Sequence, residues 1–287
     1  MSPPADPLRR WLGDAELAAT PSAHADWLRG VIDRDGGLPT LEALWALMDE
    51  AWRAHGCDPQ VTDARITAFY RDPVWLLNTL FIEQDAESLA HRRLFADWAA
   101  RQAPRRVADV GGGGGTLARA VADACPGARV DVVEPHPHPA LAQRLAGHPQ
   151  VAYVPALHGP YDVMLATDVF EHVPDPVGML AEVLPHLRPG GAMLIANCFW
   201  PVIACHLPQT FPLRHAWDAV CEALGLQGGP RLAHGRTWRL PEAFDPATAL
   251  PRARAVEARA RAWHSRISAL PRPLSTRFGP WIFRWLA

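Results

Sequence analysis

The residues with the clearest chemical potential are a run of five glycines, 111–115, and Asp109 two residues before it. Five glycines between a strand and a helix cost chain entropy, which is reasonable where a ligand approaches the backbone at a helix N-terminus. The alternative reading is a merely flexible turn. Asp109, Gly111, Gly113 and Gly115 fit the alternating pattern acidic-x-Gly-x-Gly-x-Gly. A carboxylate there suits a ligand with an ammonium group and would repel a pyrophosphate.

Two other kinds of glycine-rich site, the dinucleotide-binding turn and the phosphate-binding loop, are excluded by the residues at their required positions. The dinucleotide fingerprint Gly-x-Gly-x-x-Gly would require glycine at Thr116 or Leu117, depending on the frame. A phosphate-binding P-loop needs a lysine after its last glycine, and the chain contains no lysine.

The glycine run resembles motif I of class I (Rossmann-like) S-adenosylmethionine-dependent methyltransferases, and three further blocks match in order. Glu134 resembles the acidic residue that accepts hydrogen bonds from the cofactor's ribose. Residues 168–176 resemble the segment after the fourth strand of the ubiquinone-methyltransferase-like group, and 187–191 the turn before the fifth strand. The resemblance, over residues 85–240, implies S-adenosyl-L-methionine as cofactor. The residues that it implies as cofactor contacts are Asp109, Gly111, Gly113, Gly115, Glu134 and Asp168. The adenine is expected near Ala156 and Leu157. The Asp that is frequent in the family at this point is missing here.

Candidates for acceptor chemistry follow the fourth and fifth strands. His172 is the first candidate general base, because an imidazole titrates near neutral pH. The loop 197–215 is rich in functional residue types. There His206 and His215 are further candidate bases, and Asn197 and Arg214 are candidate substrate-binding residues. A packed loop with hydrogen-bonded histidines is the alternative. Cys205, His206 and His215 match no familiar metal-site spacing, so no metal is predicted.

Aromatic and charged residues also precede the first strand of the predicted sheet. In related enzymes N-terminal helices cover the substrate, which makes Tyr70, Trp75 and Glu83 candidate substrate contacts, together with Gln84. Core packing of the aromatic residues is the alternative. A Trp-, Phe- and Arg-rich tail at 281–286 is open to packing, a dimer contact or membrane-surface anchoring.

Hydrophobic patterning indicates an N-terminal helical region followed by alternating strands and helices. This order predicts an α/β fold: a Rossmann-like, mostly parallel seven-stranded sheet with helices on both faces, plus an N-terminal helical extension. Three regions are expected: a helical lid (1–104), the S-adenosylmethionine-binding domain (105–240) and a C-terminal extension (241–287). The specific strand predictions are 107–110, 129–133, 151–154, 161–166, 192–196 and 235–240.

Composition narrows the class of protein further. The formal net charge of −2 over 287 residues gives no reason to expect a nucleic-acid partner. Five scattered cysteines without a CxxC pair favour reduced thiols in a cytoplasmic protein over a disulfide framework. We expect no integral membrane segment and no signal peptide. A homodimer is left open.

The sequence therefore predicts a methyltransferase acting on a small-molecule acceptor, with a specialised metabolite favoured. Three alternatives remain. One keeps the cofactor but uses its sulfonium for a non-methylating displacement, such as an intramolecular cyclisation. Another is a non-catalytic cofactor-binding scaffold. The weakest is a nicotinamide-dependent dehydrogenase.

Overall fold

The computed structural model describes residues 6–267, and these fall into two compact units that divide between Ala156 and Leu157. The tail 281–286 lies outside the described residues. None of the described helices is long and apolar enough to cross a bilayer.

The first unit begins with helices and continues with three strands. After a 3-10 turn (Pro7–Arg10), its elements are α1 (Asp14–Ala19), α2 (Ser22–Asp35), α3 (Leu41–Ala54), α4 (Ala64–Tyr70), α5 (Pro73–Ile82), α6 (Ala86–Ala100), β1 (Arg106–Val110), α7 (Thr116–Ala124), β2 (Arg129–Val133), α8 (Pro139–Arg144) and β3 (Val151–Val154).

Side-chain caps explain where several of these helices start. The Thr40 hydroxyl accepts from the Ala43 amide at 3.3 Å and caps the start of α3. Asp72 and Asp85 cap α5 and α6 in the same way, at 2.9 Å and 2.7 Å. The three strands are parallel, with Val107 opposite Val130 and Val130 opposite Val151.

The second unit contains two parallel strands and an antiparallel hairpin. Its elements are β4 (Tyr161–Thr167), a 3-10 turn (Phe170–His172), α9 (Pro176–Val183), a 3-10 turn (Leu184–His186), β5 (Leu187–Ala196), a 3-10 segment (Pro208–His215), α10 (Trp217–Ala223), β6 (Gln227–Leu232), β7 (Gly235–Arg239) and α11 (Pro246–Ile267). β4 and β5 are parallel, whereas β7 is antiparallel to both β5 and β6.

The seven strands have the order β3-β2-β1-β4-β5-β7-β6, which confirms the predicted mostly parallel seven-stranded α/β sheet with N-terminal helices. Strands β1 to β4 lie within a residue or so of their predicted positions. β5 starts at Leu187, five residues earlier than predicted, because residues 188–191 continue the strand instead of forming a separate turn. β6 was not predicted, since Gly228, Gly229 and Pro230 resemble a loop and β6 forms only by pairing with β7.

Helix α11 was not predicted either. The sequence after Pro241 is polar and rich in arginine, yet a 22-residue helix forms there with Pro251 inside its first turns. Its small apolar residues supply the packing that the polar composition conceals: Ala249, Ala253, Val256 and Ala260 are buried.

Candidate active site

Asp109, on β1, is the most unusual ionisable residue of the first unit. Its side chain is completely buried, and neither carboxylate oxygen accepts a hydrogen bond of ordinary geometry within the described residues. Burial raises the pKa of Asp109 to about 7 against the opposing charge of Arg92 and the backbone amide of Ala118, and the negative charge of Glu134 adds to the increase. A buried carboxyl group without a donor costs free energy, so this position suits a ligand that supplies the missing donors.

The glycine turn after β1 divides into two sets with different reasons for being glycine. Gly111, Gly113 and Gly115 adopt positive φ angles of 65°, 49° and 70°. These are the three glycines of the alternating pattern, and positive φ is the conformation that side chains disfavour. The backbone of residues 111–113 stays at least partly accessible.

Close contact accounts for the other two glycines. A Cβ atom on Gly112 would lie 2.6 Å from Oδ2 of Asp109, and one on Gly114 would lie 2.6 Å from Oγ1 of Thr79. The turn therefore packs directly onto Asp109 on one side and onto α5 on the other.

Glu134 and Tyr153 complete this end of the first unit. Glu134 follows β2, is half-buried, and accepts from the His136 amide at 3.1 Å. Burial raises its pKa. The Tyr153 hydroxyl donates to the Gly113 carbonyl at 2.9 Å and so fixes the turn. Sequence reasoning missed Tyr153; the only signal was a phenol near the end of a predicted strand.

Ala156 and Leu157, the predicted adenine contacts, follow β3. Ala156 is exposed and Leu157 is half-buried. Asp168, directly after β4, has a positive φ of 54°, and its amide donates to the Ala196 carbonyl at 2.8 Å. Its carboxylate lies 3.7 Å from Nε2 of His234. The cofactor roles of these three residues stay predictions.

In the second unit, the structure brings together Glu171, His172 and His206, named here the Glu171 cluster. One side-chain oxygen or nitrogen from each lies within 4.8 Å of those of the other two. The two imidazole rings meet edge to face at 4.9 Å. Burial lowers the pKa of His172 to about 4, with the charge of His206 next in effect, so His172 is neutral near pH 7. Sequence reasoning identified both histidines and missed Glu171.

The remaining candidates in the loop 197–215 contact two different tryptophans. The Asn197 amide, oriented to donate to the Ala196 carbonyl, accepts from Nε1 of Trp217, with both distances at 2.9 Å. The Arg214 guanidinium lies 4.2 Å from the Trp200 ring, and His215 meets the same ring edge-on at 6.2 Å. Burial lowers the pKa of His215 to about 4, and the charge of Arg214 adds to this. Arg214 and His215 therefore share the exposed ring of Trp200.

The N-terminal candidates have defined partners inside the first unit. The Tyr70 and Trp75 rings lie 5.1 Å apart, tilted by 32°, beside the buried Phe69. Glu83 accepts from the Thr116 hydroxyl at 3.1 Å and forms ion pairs with Arg119 and Arg144. These contacts fasten α5 to α7 and α8. Substrate contact by Tyr70, Trp75 and Glu83 stays a prediction.

Similarity to known proteins concentrates on the segment that carries these sites. Residues 81–222 match the methyltransferase domain family. An uncharacterised methyltransferase from Mycobacteroides abscessus is 35% identical over 142 residues, which cover 45% of this chain and 49% of the relative. One from Mycobacterium leprae is 31% identical over 171 residues, covering 52% and 62%. The matched part thus spans less than two thirds of the length of these relatives.

Two solved structures are similar at the level of the chain trace. Mitomycin 7-O-methyltransferase has a TM-score of 0.47 at 20% identity, covering 70% of this chain and 67% of its own. Human N-acetylserotonin methyltransferase has a TM-score of 0.44 at 15% identity, covering 74% and 69%.

Proposed function

We propose, on the premise that residues 81–222 form a methyltransferase domain, that this chain transfers a methyl group from S-adenosyl-L-methionine to a small-molecule acceptor. The observation that carries the proposal is the buried Asp109 carboxyl group, which accepts no hydrogen bond of ordinary geometry within the described residues and lies against the glycine turn. An ammonium group supplies both the charge and the donors that this carboxyl group lacks.

The residues around the turn fit the rest of the cofactor. Gly111 and Gly113 have positive φ angles that hold the turn open to a close-lying ligand, and Tyr153 fixes the Gly113 carbonyl. The half-buried Glu134 is suited to accept from two ribose hydroxyls. The bound sulfonium carries an activated methyl group, so the protein mainly contributes position and orientation.

We assign the acceptor to residues of the second unit that follow β5. Arg214, stacked on Trp200, is suited to bind an anionic or polar group of the acceptor. His215, which its lowered pKa of about 4 leaves unprotonated but weakly basic near pH 7, is assigned to take the acceptor's proton as the bond from methyl to sulfur breaks and the bond to the acceptor atom forms. The products are the methylated acceptor and S-adenosylhomocysteine.

Calorimetric titration of the full chain with S-adenosylmethionine, with NADH as a comparison ligand, tests this proposal. We expect binding of the sulfonium compound only. Asp109→Asn should weaken that binding about 30-fold or more, equivalent to about 2 kcal/mol for a lost charge-assisted pair. Asp123→Asn is the matched control, because the Asp123 side chain is 73% exposed and its partner is His148.

Two results would overturn the proposal. Failure of the unaltered chain to bind S-adenosylmethionine removes the cofactor assignment, and unchanged binding by the Asp109 variant removes the ammonium contact. Product analysis then separates reaction types, since methyl transfer releases S-adenosylhomocysteine whereas a displacement at another carbon releases methylthioadenosine.

A further inference from the structure

We propose that the Glu171 cluster is a binding site for a divalent first-row transition-metal ion, with Zn²⁺ as the representative. Two imidazoles and one carboxylate form a ligand set that such ions prefer. The three ligand atoms lie within 4.8 Å of one another. A tetrahedral ion about 2.1 Å from each would place them roughly 3.4 Å apart, so small side-chain rotations close the site.

The Glu171 carboxylate provides an independent observation that points to a ligand. The side chain is completely buried, and its Oε1 accepts from the Cys198 amide at 2.6 Å. Its Oε2 is buried and has no hydrogen-bond partner within residues 6–267. Buried carboxylate oxygens are normally paired or bound to metal, and a cation at the cluster would satisfy Oε2.

Backbone carbonyls orient both histidines in the way that metal-binding imidazoles require. Nδ1 of His172 lies 3.0 Å from the Cys205 carbonyl oxygen, and Nδ1 of His206 lies 2.7 Å from that of Trp200. A carbonyl only accepts, so each Nδ1 carries a proton, and the ligand nitrogen that each ring can offer to a metal is Nε2. Hydrogen bonds of this kind set the tautomer and ring orientation of metal ligands.

The charge of the cluster also fits a divalent cation. Two imidazoles and one carboxylate are ligands for a divalent cation, and the carboxylate of Asp168 adds a negative potential on both Glu171 and His172. Three protein ligands leave coordination positions for water or a substrate oxygen, as in catalytic zinc sites. Ligation would engage His172 and His206 and leave His215 as the proposed proton acceptor.

Titration of chelator-treated full-length protein with Co²⁺ tests the site directly, because Co²⁺ held by nitrogen and oxygen ligands absorbs visible light. We expect saturation at one equivalent, with displacement by Zn²⁺. Glu171→Gln and His206→Gln should each lower the affinity at least tenfold. His158→Gln is the control, since His158 is an exposed histidine outside the cluster, and it should bind like the unaltered chain.

The proposal is overturned if the unaltered chain shows no saturable Co²⁺ band, or if both cluster variants bind as it does. Circular dichroism establishes whether the variants fold. If they do not, X-ray absorption of the Zn²⁺-loaded unaltered chain decides, because two imidazoles and a carboxylate are expected in its first shell. Sulfur ligation, or oxygen ligands alone, would contradict the assignment. These readouts do not involve methyl transfer, so they fail or succeed separately from the proposed function.

Discussion

At Asp109 the free energy of burial and the charge of the carboxylate oppose one another. A carboxylate removed from water without donors is destabilised, and the protein responds by keeping the group protonated up to a pKa of about 7. Such perturbed groups are typical of binding and catalytic sites. The same residue therefore weakens the ligand-free fold, and the proposed function assigns it the contact with the ammonium group of the cofactor.

This opposition predicts a pH-dependent stability difference between the unaltered chain and Asp109→Asn. The folded pKa of about 7 exceeds the ordinary value of 3.8, so the folded state binds more protons between these two values. The Asp109 side chain therefore makes its full contribution to the free energy of unfolding below about pH 4, and this contribution is lost as the pH rises to about 7. Asp109→Asn lacks this loss. Its free energy of unfolding, measured relative to that of the unaltered chain, should therefore rise across that window by up to about 4 kcal/mol.

Urea unfolding of ligand-free protein at pH 5 and pH 8 measures the difference. Comparing the two chains at each pH cancels the opposite contribution of the buried histidines, whose pKa values are lowered. A stability difference that stays the same at both pH values would show that Asp109 is not destabilised by burial.

At the level of elements, α5 holds the glycine turn in place. Thr79 of α5 contacts the turn at Gly114, and Glu83, just after α5, binds Thr116 and Arg119 of α7. The ion pair from Glu83 to Arg144 adds α8 to this arrangement. Helix α5 therefore positions the glycine turn, whatever contact its flanking residues make with a substrate.

The contact between Thr79 and Gly114 predicts a coupled pair of substitutions. Gly114→Ala should destabilise the fold by about 1–3 kcal/mol through overpacking, because its Cβ atom would lie 2.6 Å from Oγ1 of Thr79. Thr79→Ala removes Oγ1 and the nearer Cγ2 while keeping Cβ at 2.9 Å, so it relieves part of the overlap and the double variant should be more stable than the two single effects predict when added. Chemical denaturation of all four chains gives the coupling energy.

Gly127→Ala is the matched control, because a Cβ atom there meets nothing within 4 Å. It should change stability by less than about 0.5 kcal/mol. Strict additivity of the Thr79 and Gly114 substitutions would mean that the turn does not pack on α5 as described.

At the scale of the whole molecule, each compact unit contains a completely buried acidic residue beside other candidate site residues. The first unit holds Asp109, the glycine turn and Glu134, and the second holds the Glu171 cluster and the aromatic surface at Trp200. Each cluster contains a completely buried acidic side chain with an unsatisfied oxygen. Both units therefore retain polar groups at a cost in stability, as binding sites do.

Cofactor binding should accordingly stabilise the whole chain against heat. At 100 times its dissociation constant, S-adenosylmethionine should add about 2.7 kcal/mol to the free energy of unfolding. For a chain of this size, that should raise the melting temperature by roughly 5 °C or more in differential scanning calorimetry. Asp109→Asn should lose most of this increase at the same concentration. An equal increase in both chains would place the stabilising contact elsewhere.

Local sequence determined much of the fold and part of the site. Strand and helix patterns from β1 to β4 are set by alternation, glycine placement and capping residues, which act between near neighbours in the chain. The positive φ angles at Gly111, Gly113 and Gly115 follow from the same local chemistry.

Tertiary structure decided what depends on distant partners. β6 forms because β7 pairs with it, and α11 because small residues at 249, 253, 256 and 260 find a packing surface. The contact of His206 with Glu171 and His172 joins residues more than 30 positions apart, which no local spacing reveals. Whether Oε2 of Glu171 or the oxygens of Asp109 have partners is likewise a property of burial, and burial is fixed only when the chain folds.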